Sequence, residues 1–274
     1  MVDITVHFAA RAIEAVRAVA ANEILPRFRS VVATIKQDGS LVTDADYASQ
    51  DALVRALRAL EPLPVIAEEM PSHEQVAVHA SARRFWCIDP LDGTKNFSEG
   101  VPFFAVSVAL MEGARPLFGT VYDPIADEAF YAVHGGGAWL NHKPLVVPAR
   151  APVLADALAE VSLRRDTVPL RGALKRHPPY ARRLTSGSSA LSWCHLAAAR
   201  IDVMLHSGQK MWDYAAGALI LAEAGGALRS LEHRDFWAAD AWQRSVVAAR
   251  SRPLMDEWEA WIDASLAAAA TGRQ

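Results

Sequence analysis

Asp89-Pro90-Leu91-Asp92-Gly93-Thr94 sets two carboxylates three residues apart, with a proline between them and Gly-Thr directly behind. The apolar run Arg84-Phe85-Trp86-Cys87-Ile88 ahead of it reads as a buried strand, and 95–98 behind it can open a short helix. Carboxylates delivered at the end of a strand, beside the N–H groups of a helix start, suit a divalent cation together with a phosphate. Mg²⁺ takes a few hard oxygen ligands, keeps several waters and shares phosphate oxygens. Uncapped N–H groups supply the matching anion site. The chemistry indicated is that of a phosphate ester.

Further acidic residues stand at expected strand ends or helix starts: Asp44 and Asp46, Glu68 and Glu69, and Asp213 beside Trp212. Singly, an acidic residue at a helix start is most often a cap, a role open to Asp44, Asp46 and Asp213. The Asp89 to Thr94 run asks for more, because a plain turn needs Asp-Gly but not the second aspartate, the threonine and the apolar strand. Other signals are weaker. None of the nine histidines falls in an H-E-x-x-H spacing, so zinc is not expected, and His73, His79 and His142 read as surface residues. Gly135-Gly136-Gly137 lacks a following Lys-Ser/Thr and reads as a hairpin turn. Arg182-Arg183 reads as a solvated strand edge. Trp86, Trp193 and Trp212 fall beside apolar runs and fit a core, while Trp237, Trp242, Trp258 and Trp261 are candidates for a subunit contact.

These residues need elements to hold them. Ile4, Phe8, Ile13, Val16, Ala20 and Ile24 recur at helical spacing until Pro26. A strand over 31–36, a turn at Gln37-Asp38-Gly39-Ser40, a helix over 46–60 and a short strand over 64–67 follow, the last delivering Glu68-Glu69. Segments 104–111, 116–122 and 128–133 read as antiparallel strands, followed by a hairpin turning at 135–137 and 141–143. From about residue 151 strands and helices alternate: strands at 157–163, 184–189, 202–206 and 245–249, helices at 190–199, 212–224 and 255–266, with Gly225-Gly226 as a left-handed helix stop. The pattern predicts an α/β fold of layered α+β type. It is expected to have two intimate halves, 1–150 and 151–274, with the site in the cleft between them.

A chain of 274 residues can bury a substantial core. A formal charge of −3 gives no footprint for nucleic acid. Cys87 and Cys194, both in apolar surroundings, fit buried free thiols in a reducing compartment. No secretory signal and no membrane-spanning stretch are apparent, so a cytoplasmic protein without nucleic-acid or membrane partners is expected.

The chain resembles the inositol monophosphatase family of Mg²⁺-dependent, Li⁺-sensitive phosphatases over nearly its whole length. Trp86-Cys87-Ile88-Asp89-Pro90-Leu91-Asp92-Gly93-Thr94-Lys95-Asn96-Phe97 is similar to the family's N-terminal signature. Trp212-Asp213-Tyr214-Ala215-Ala216-Gly217, followed by Glu223-Ala224-Gly225-Gly226, is similar to its C-terminal signature. Val42-Thr43-x-x-Asp46 and Glu68-Glu69 match in order and spacing as well. The resemblance implies the layered αβαβα sugar-phosphatase fold, a homodimer, and a small phosphorylated polyol as substrate.

It also implies roles. Glu68, Asp89 and the main-chain carbonyl of Leu91 would hold one Mg²⁺, Asp89, Asp92 and Asp213 a second, and a third, weaker ion would lie near Glu68. Two such ions about 3.5–4 Å apart polarise a phosphoryl group and lower the pKa of an attacking water. Thr94 and Asp46, with Glu68 assisting, would orient and deprotonate that water. The N–H groups of Gly93 and Thr94 would bind phosphate oxygens. Asp92, Asp213, Gly187, Ser188 and Ser189 would line the substrate site. Lys36 matches a lysine of an early family loop, and equally reads as a solvated turn lysine. The chain departs from the pattern at His206, where inositol-selective members carry a glutamate, and at Lys210, where many carry a histidine. By the same resemblance His206 would face the leaving group in the substrate site. These departures suit a polyol carrying a second anionic group or a different alcohol, with histidinol phosphate or a nucleotide 3′-phosphate as alternative substrates. A non-catalytic regulatory protein on the same fold is the reading from another class.

Overall fold

A computed structural model describes residues 6–36, 39–148, 150, 152–163, 168–238 and 242–271. Ile4, Gln37, Asp38 and Ala151 of the readings above lie outside them. Helix α1 (Val6–Val19) runs into a π turn over Ala20–Ile24 and ends in a single 3₁₀ turn containing Pro26. Strands β1 (Thr34–Ile35) and β2 (Leu41–Val42) form a small ribbon before helix α2 (Asp44–Leu60). Then come β3 (Val65–Ala67), α3 (Ser72–Ser81), β4 (Arg84–Asp92) and the short α4 (Thr94–Ser98). A meander of β5 (Ala105–Glu112), β6 (Arg115–Asp123), β7 (Glu128–Val133), β8 (Gly137–Leu140) and β9 (Lys143–Leu145) completes a seven-stranded sheet in the order β3-β4-β5-β6-β7-β8-β9.

The chain continues with β10 (Leu158–Ser162), α5 (Val168–Arg176), β11 (Arg182–Leu184), α6 (Ser189–Ala197), β12 (Val203–Lys210) and α7 (Met211–Glu223). It closes with β13 (Ala227–Arg229), β14 (Gln243–Ala249) and α8 (Arg252–Thr271). These strands form a five-stranded sheet in the order β11-β10-β12-β14-β13, where β10 lies parallel to β11 and β12 and β14 antiparallel to both its neighbours.

Three apolar cores stack the layers. Ala12, Val16, Leu53 and Leu57 of α1 and α2 pack on Trp86, Val106 and Phe118 of the large sheet. Its other face, through Phe85, Ala109 and Phe130, meets Trp193 and Leu196 of α6 and Tyr214, Ala218 and Leu221 of α7, and these helices also touch Met204 and Val246 of the small sheet. Beyond that sheet, Leu170 of α5 and Leu254, Met255 and Trp258 of α8 cover Val161, Leu205 and Val247. The result is the layered αβαβα arrangement. The large sheet draws its strands from 65–145 and the small one from 158–249, while α6 and α7 pack against both.

Close approach makes glycine necessary at two points. A Cβ on Gly217 would stand 2.4 Å from the Cβ of Trp193, and one on Gly119 2.7 Å from the Cα of Ala216. Helix α7 therefore seats against α6 and β6 only because those side chains are missing.

Several sequence expectations need correction. The strand over 31–36 shrinks to Thr34–Ile35. Residues 185–188 form a loop instead of extending a strand. Helices α3 and α5 and strand β13 are additions to the expected elements. Helix α3 carries one buried residue, Gln75, and so has no apolar stripe to read. His79 is half-buried, edge-on to Phe85 and Trp242 at 6.1 and 5.6 Å between ring centres. Of the four tryptophans expected at a subunit contact, Trp258 is fully buried inside the chain, while Trp237, Trp242 and Trp261 are half-buried. Trp258 stacks on Trp261, Trp242 meets Trp212 edge-on, and Trp237 lies against Tyr214 and Phe236. No described helix is long and apolar enough to cross a membrane.

Candidate active site

Residues three apart on a regular strand point to opposite faces, so Asp89 and Asp92 should diverge. They do not, because the ladder slips between them: Asp89 pairs with Ser107 and Asp92 with Ala105, three residues facing two. The extra residue is a β-bulge at Pro90-Leu91, and proline has no N–H to give the ladder. The bulge aims both carboxylates into one place, where they meet Asp213. One ligand oxygen from each of the three lies within 4.8 Å of the others. Gly93 then turns the chain with a φ of 95°, a left-handed conformation in which a side chain would press on Phe103 and Phe104.

Each acidic group arrives on its own element. Asp213 sits in the first turn of α7, its Oδ2 accepting the Lys210 N–H at 2.8 Å. Glu68 follows β3, which lies parallel to β4, and its N–H donates to the Ile88 carbonyl at 3.2 Å. Asp46 closes a capping box at the start of α2: its Oδ2 accepts the Thr43 N–H at 2.7 Å and the Thr43 hydroxyl at 2.6 Å. The capping role expected of it is therefore real. Its other oxygen, Oδ1, lies 3.0 Å from Thr94 Oγ1, which is also 3.1 Å from the Leu91 carbonyl. The Leu91 N–H donates to Asp89 Oδ1 at 3.0 Å.

Burial and mutual repulsion govern the titration of these groups. Burial, then the charges of Glu68, Asp92 and Asp213, hold Asp89 well above the ordinary carboxylate range. Asp213 is held up in the same way by burial, Asp92 and Glu68. Burial raises Asp92 despite the donors around it. Glu68 is pushed up to about 7 by burial, with the neighbouring charges of Glu69 and Asp92 adding to it and Lys36 opposing. Burial also raises Asp46, against the hydrogen bonds from Thr43 and Thr94. Burial works to lower Lys36, but its bond to Glu69 and the surrounding carboxylates raise it overall. Its ammonium lies 2.5 Å from Glu69 and 3.6 Å from Glu68, so the solvated alternative for this lysine is set aside.

Ser188 and Ser189, read as substrate-site residues, hold Asp92 itself, and Gly187 lines the recess with them. The Ser188 hydroxyl bonds Asp92 Oδ2, Ala190 N–H reaches the same oxygen at 2.9 Å, and Ser189 N–H reaches Oδ1 at 3.2 Å. Behind them lies a recess of about 180 Å³ lined by Glu160, Ser186, Ser188, Ser189, His206 and Gln209. A further ladder slip, between His206 and Gln209 of β12, turns both side chains toward this recess. His206 Nδ1 accepts the Gly208 N–H at 3.0 Å. The lining of a wider chamber of about 560 Å³ includes Lys36, Tyr47, Glu68, Glu69, Lys210, Asp213 and Trp242.

Sequence reasoning missed three of these features. Asn96 donates to the Phe103 and Ser186 carbonyls at 2.7 and 2.9 Å, tying α4 to the 186–188 loop. Its place in the N-terminal signature was the available signal. Buried Glu160 accepts the Ser186 N–H at 3.0 Å and lines the recess. Neither it nor the Asp92–Ser188 contact announces itself by spacing.

Carboxylates crowded together out of water, with oxygen as the only donor, fit a hard divalent cation. Among the described residues, Asp89, Asp92 and Asp213 are the only group of three or more such ligands. A layered αβαβα fold with an acidic cluster at a bulged strand end defines a class of metal-assisted hydrolytic sites. The profile of the inositol monophosphatase family matches residues 3–269, and the chain belongs to that family. It is 36% identical to the Nus factor SuhB of Haemophilus influenzae, over 83% of this chain and 84% of that one. It is 32% identical to an inositol monophosphatase of Mesembryanthemum crystallinum, over 84% and 87% of the two chains. The solved structure of a Thermotoga maritima IMPase superposes with a TM-score of 0.76 at 25% identity, over 93% of this chain and 97% of that one. Membership supports phosphatase chemistry and leaves the alcohol open.

Proposed function

We propose that this chain is a Mg²⁺-dependent phosphomonoesterase acting on a small phosphorylated polyol such as inositol 1-phosphate, as a cytoplasmic homodimer. The observation that carries the reading is the meeting of Asp89, Asp92 and Asp213 within 4.8 Å, next to the Thr94–Asp46 contact at 3.0 Å. Glu68, Asp89, Asp92, Asp213 and the Leu91 carbonyl would hold two ions, with room for a third near Glu68. When bound, the cations lower the pKa of a water and offset charge on the departing oxygen.

The side chains do the rest. When Thr94 donates its hydroxyl proton to Asp46, its lone pairs face outward and accept a hydrogen bond from the attacking water. Asp46 thus fixes which way the hydroxyl points; the water passes its proton to the Thr94 oxygen as the Thr94 proton moves to Asp46, with Glu68 assisting, and the departing alkoxide takes a proton from solvent. The N–H groups of Gly93 and Thr94 donate to the phosphate oxygens, where charge grows in the transition state. The P–O bond to the alcohol breaks as the water oxygen bonds to phosphorus, and no covalent enzyme intermediate is needed. The hydroxyl-lined recess, smaller than the roughly 300–1,000 Å³ usual for ligand pockets, receives a hydroxyl-bearing part of the alcohol.

Purified protein assayed with inositol 1-phosphate, histidinol phosphate and 3′-phosphoadenosine 5′-phosphate tests the reading. Release of phosphate that needs Mg²⁺ and stops with chelator is expected on at least one of these esters. No hydrolysis of any ester would set the reading aside. The likeness to a Nus factor motivates the competing regulatory reading, which that outcome would favour.

A further inference from the structure

The wider chamber holds a charge that the reaction above does not use. Lys210 ends β12 one residue beyond Gln209, and alternation along the strand sends the two side chains to different cavities, Gln209 to the recess and Lys210 to the chamber. The other lysine there, Lys36, is taken by Glu69 and Glu68. Asp213 belongs to the carboxylate cluster. Lys210 is half-buried; its charge acts on Asp213 of the cluster, and among the described residues its ammonium makes no salt bridge. Trp242, half-buried and braced edge-on by Trp212 at 5.7 Å, forms a flat wall of the same chamber, and Tyr47 stands half-exposed at its side.

Once the cluster's own charge is balanced, the uncompensated charge facing this space is positive. We propose that the chamber is a second substrate subsite, in which Lys210 grips another anionic group on the alcohol being released while Trp242 and Tyr47 pack against its carbon skeleton. The recess is lined by Ser188 and Ser189, which hold Asp92, and the chamber by Glu68 and Asp213, so an ester at the cluster can offer hydroxyls to the one and its second acidic group to the other. The inference rests on the phosphatase reading and deepens it: the preferred esters carry a carboxylate or a further phosphate.

Paired esters test this on the full-length enzyme with Mg²⁺. Glycerol 2-phosphate and 2-phosphoglycerate differ by one carboxylate, and fructose 1-phosphate and fructose 1,6-bisphosphate by one phosphate. The wild type is expected to favour the more acidic member of at least one pair by about tenfold or more in kcat/KM, the size of one charge-assisted hydrogen bond. Lys210→Met should erase that preference and Lys210→Arg retain most of it. Equal losses on both members of each pair would mean that Lys210 serves the transferred phosphate, and would overturn the proposal, as would a wild type without preference. Calorimetric titration of the same esters with Ca²⁺ in place of Mg²⁺ separates the two claims. Binding preference without turnover would fail the phosphatase reading and keep the subsite, whereas turnover without binding preference would do the reverse.

Discussion

Ser188 donates its hydroxyl to Asp92 across 96 residues of chain. The contact joins the bulged end of β4 in the large sheet to the start of α6, the helix packed between the two sheets. Asp92 thereby serves two structures at once. It is one of three converging carboxylates, and it anchors the loop that forms the recess. A change in either should be felt by the other.

Asp92→Asn removes one charge from the cluster and sets an amide against the Ala190 or Ser189 N–H. Loss of a metal ligand should cost at least as much as the roughly 10–100-fold typical of outer contacts. We expect kcat to fall by about 100-fold or more, with a folded protein by circular dichroism. Mg²⁺ should no longer raise its melting temperature. Undiminished Mg²⁺-dependent turnover would count against the assignment of Asp92 as a ligand.

Thr94→Ala tests the water-orienting role separately from binding. Removing the hydroxyl leaves the carboxylates in place, so KM should stay within about threefold while kcat drops by roughly 10²–10⁴, the range of acid–base assistance. Thr94→Ser should recover most of the rate. An equal drop for both variants would show that the methyl group matters and the hydroxyl does not.

Glu68 sets a pH dependence. Its folded-state pKa of about 7 lies above the ordinary glutamate value of 4.5, so in the metal-free protein its contribution to stability is complete below 4.5 and is lost as pH rises toward 7. Cation binding needs the ionised form and releases the proton. The metal-free melting temperature should therefore fall between about pH 4.5 and 7, and Mg²⁺ affinity should climb up to about pH 7 and then level off. A calorimetric affinity that is flat with pH would contradict this.

Gly217→Ala forces a methyl group into the Cβ of Trp193, and α7 carries Asp213. Overpacking of this kind costs about 1–3 kcal/mol. The urea midpoint should shift down at unchanged slope, with weaker Mg²⁺ binding. An unshifted midpoint would mean that α6 can yield at this point.

Much of the site was legible because its ligands lie in short, chemically unusual runs. Asp89 to Thr94 reads as a unit, and Asp213 and Glu68 sit where strand ends and helix starts were expected. The long amphipathic helices and the meander were readable from period alone. Helix α5 was hidden because, among its described side chains, only Leu170 and Leu174 are buried, with Gly172 between them. Strand β13 has three residues, too few for a period. Trp258 was misread because bulk and spacing do not tell a core from an interface. The two bulges were invisible for a related reason: a one-residue slip is a property of the pair of strands, and either strand alone has a regular pattern.

The convergence of the carboxylates is best tested by a crystal structure with Mn²⁺, whose anomalous scattering marks its position. The account expects strong peaks contacting Asp89, Asp92 and Asp213, lost in Asp92→Asn. Peaks only elsewhere on the surface, or none at millimolar Mn²⁺, would contradict it.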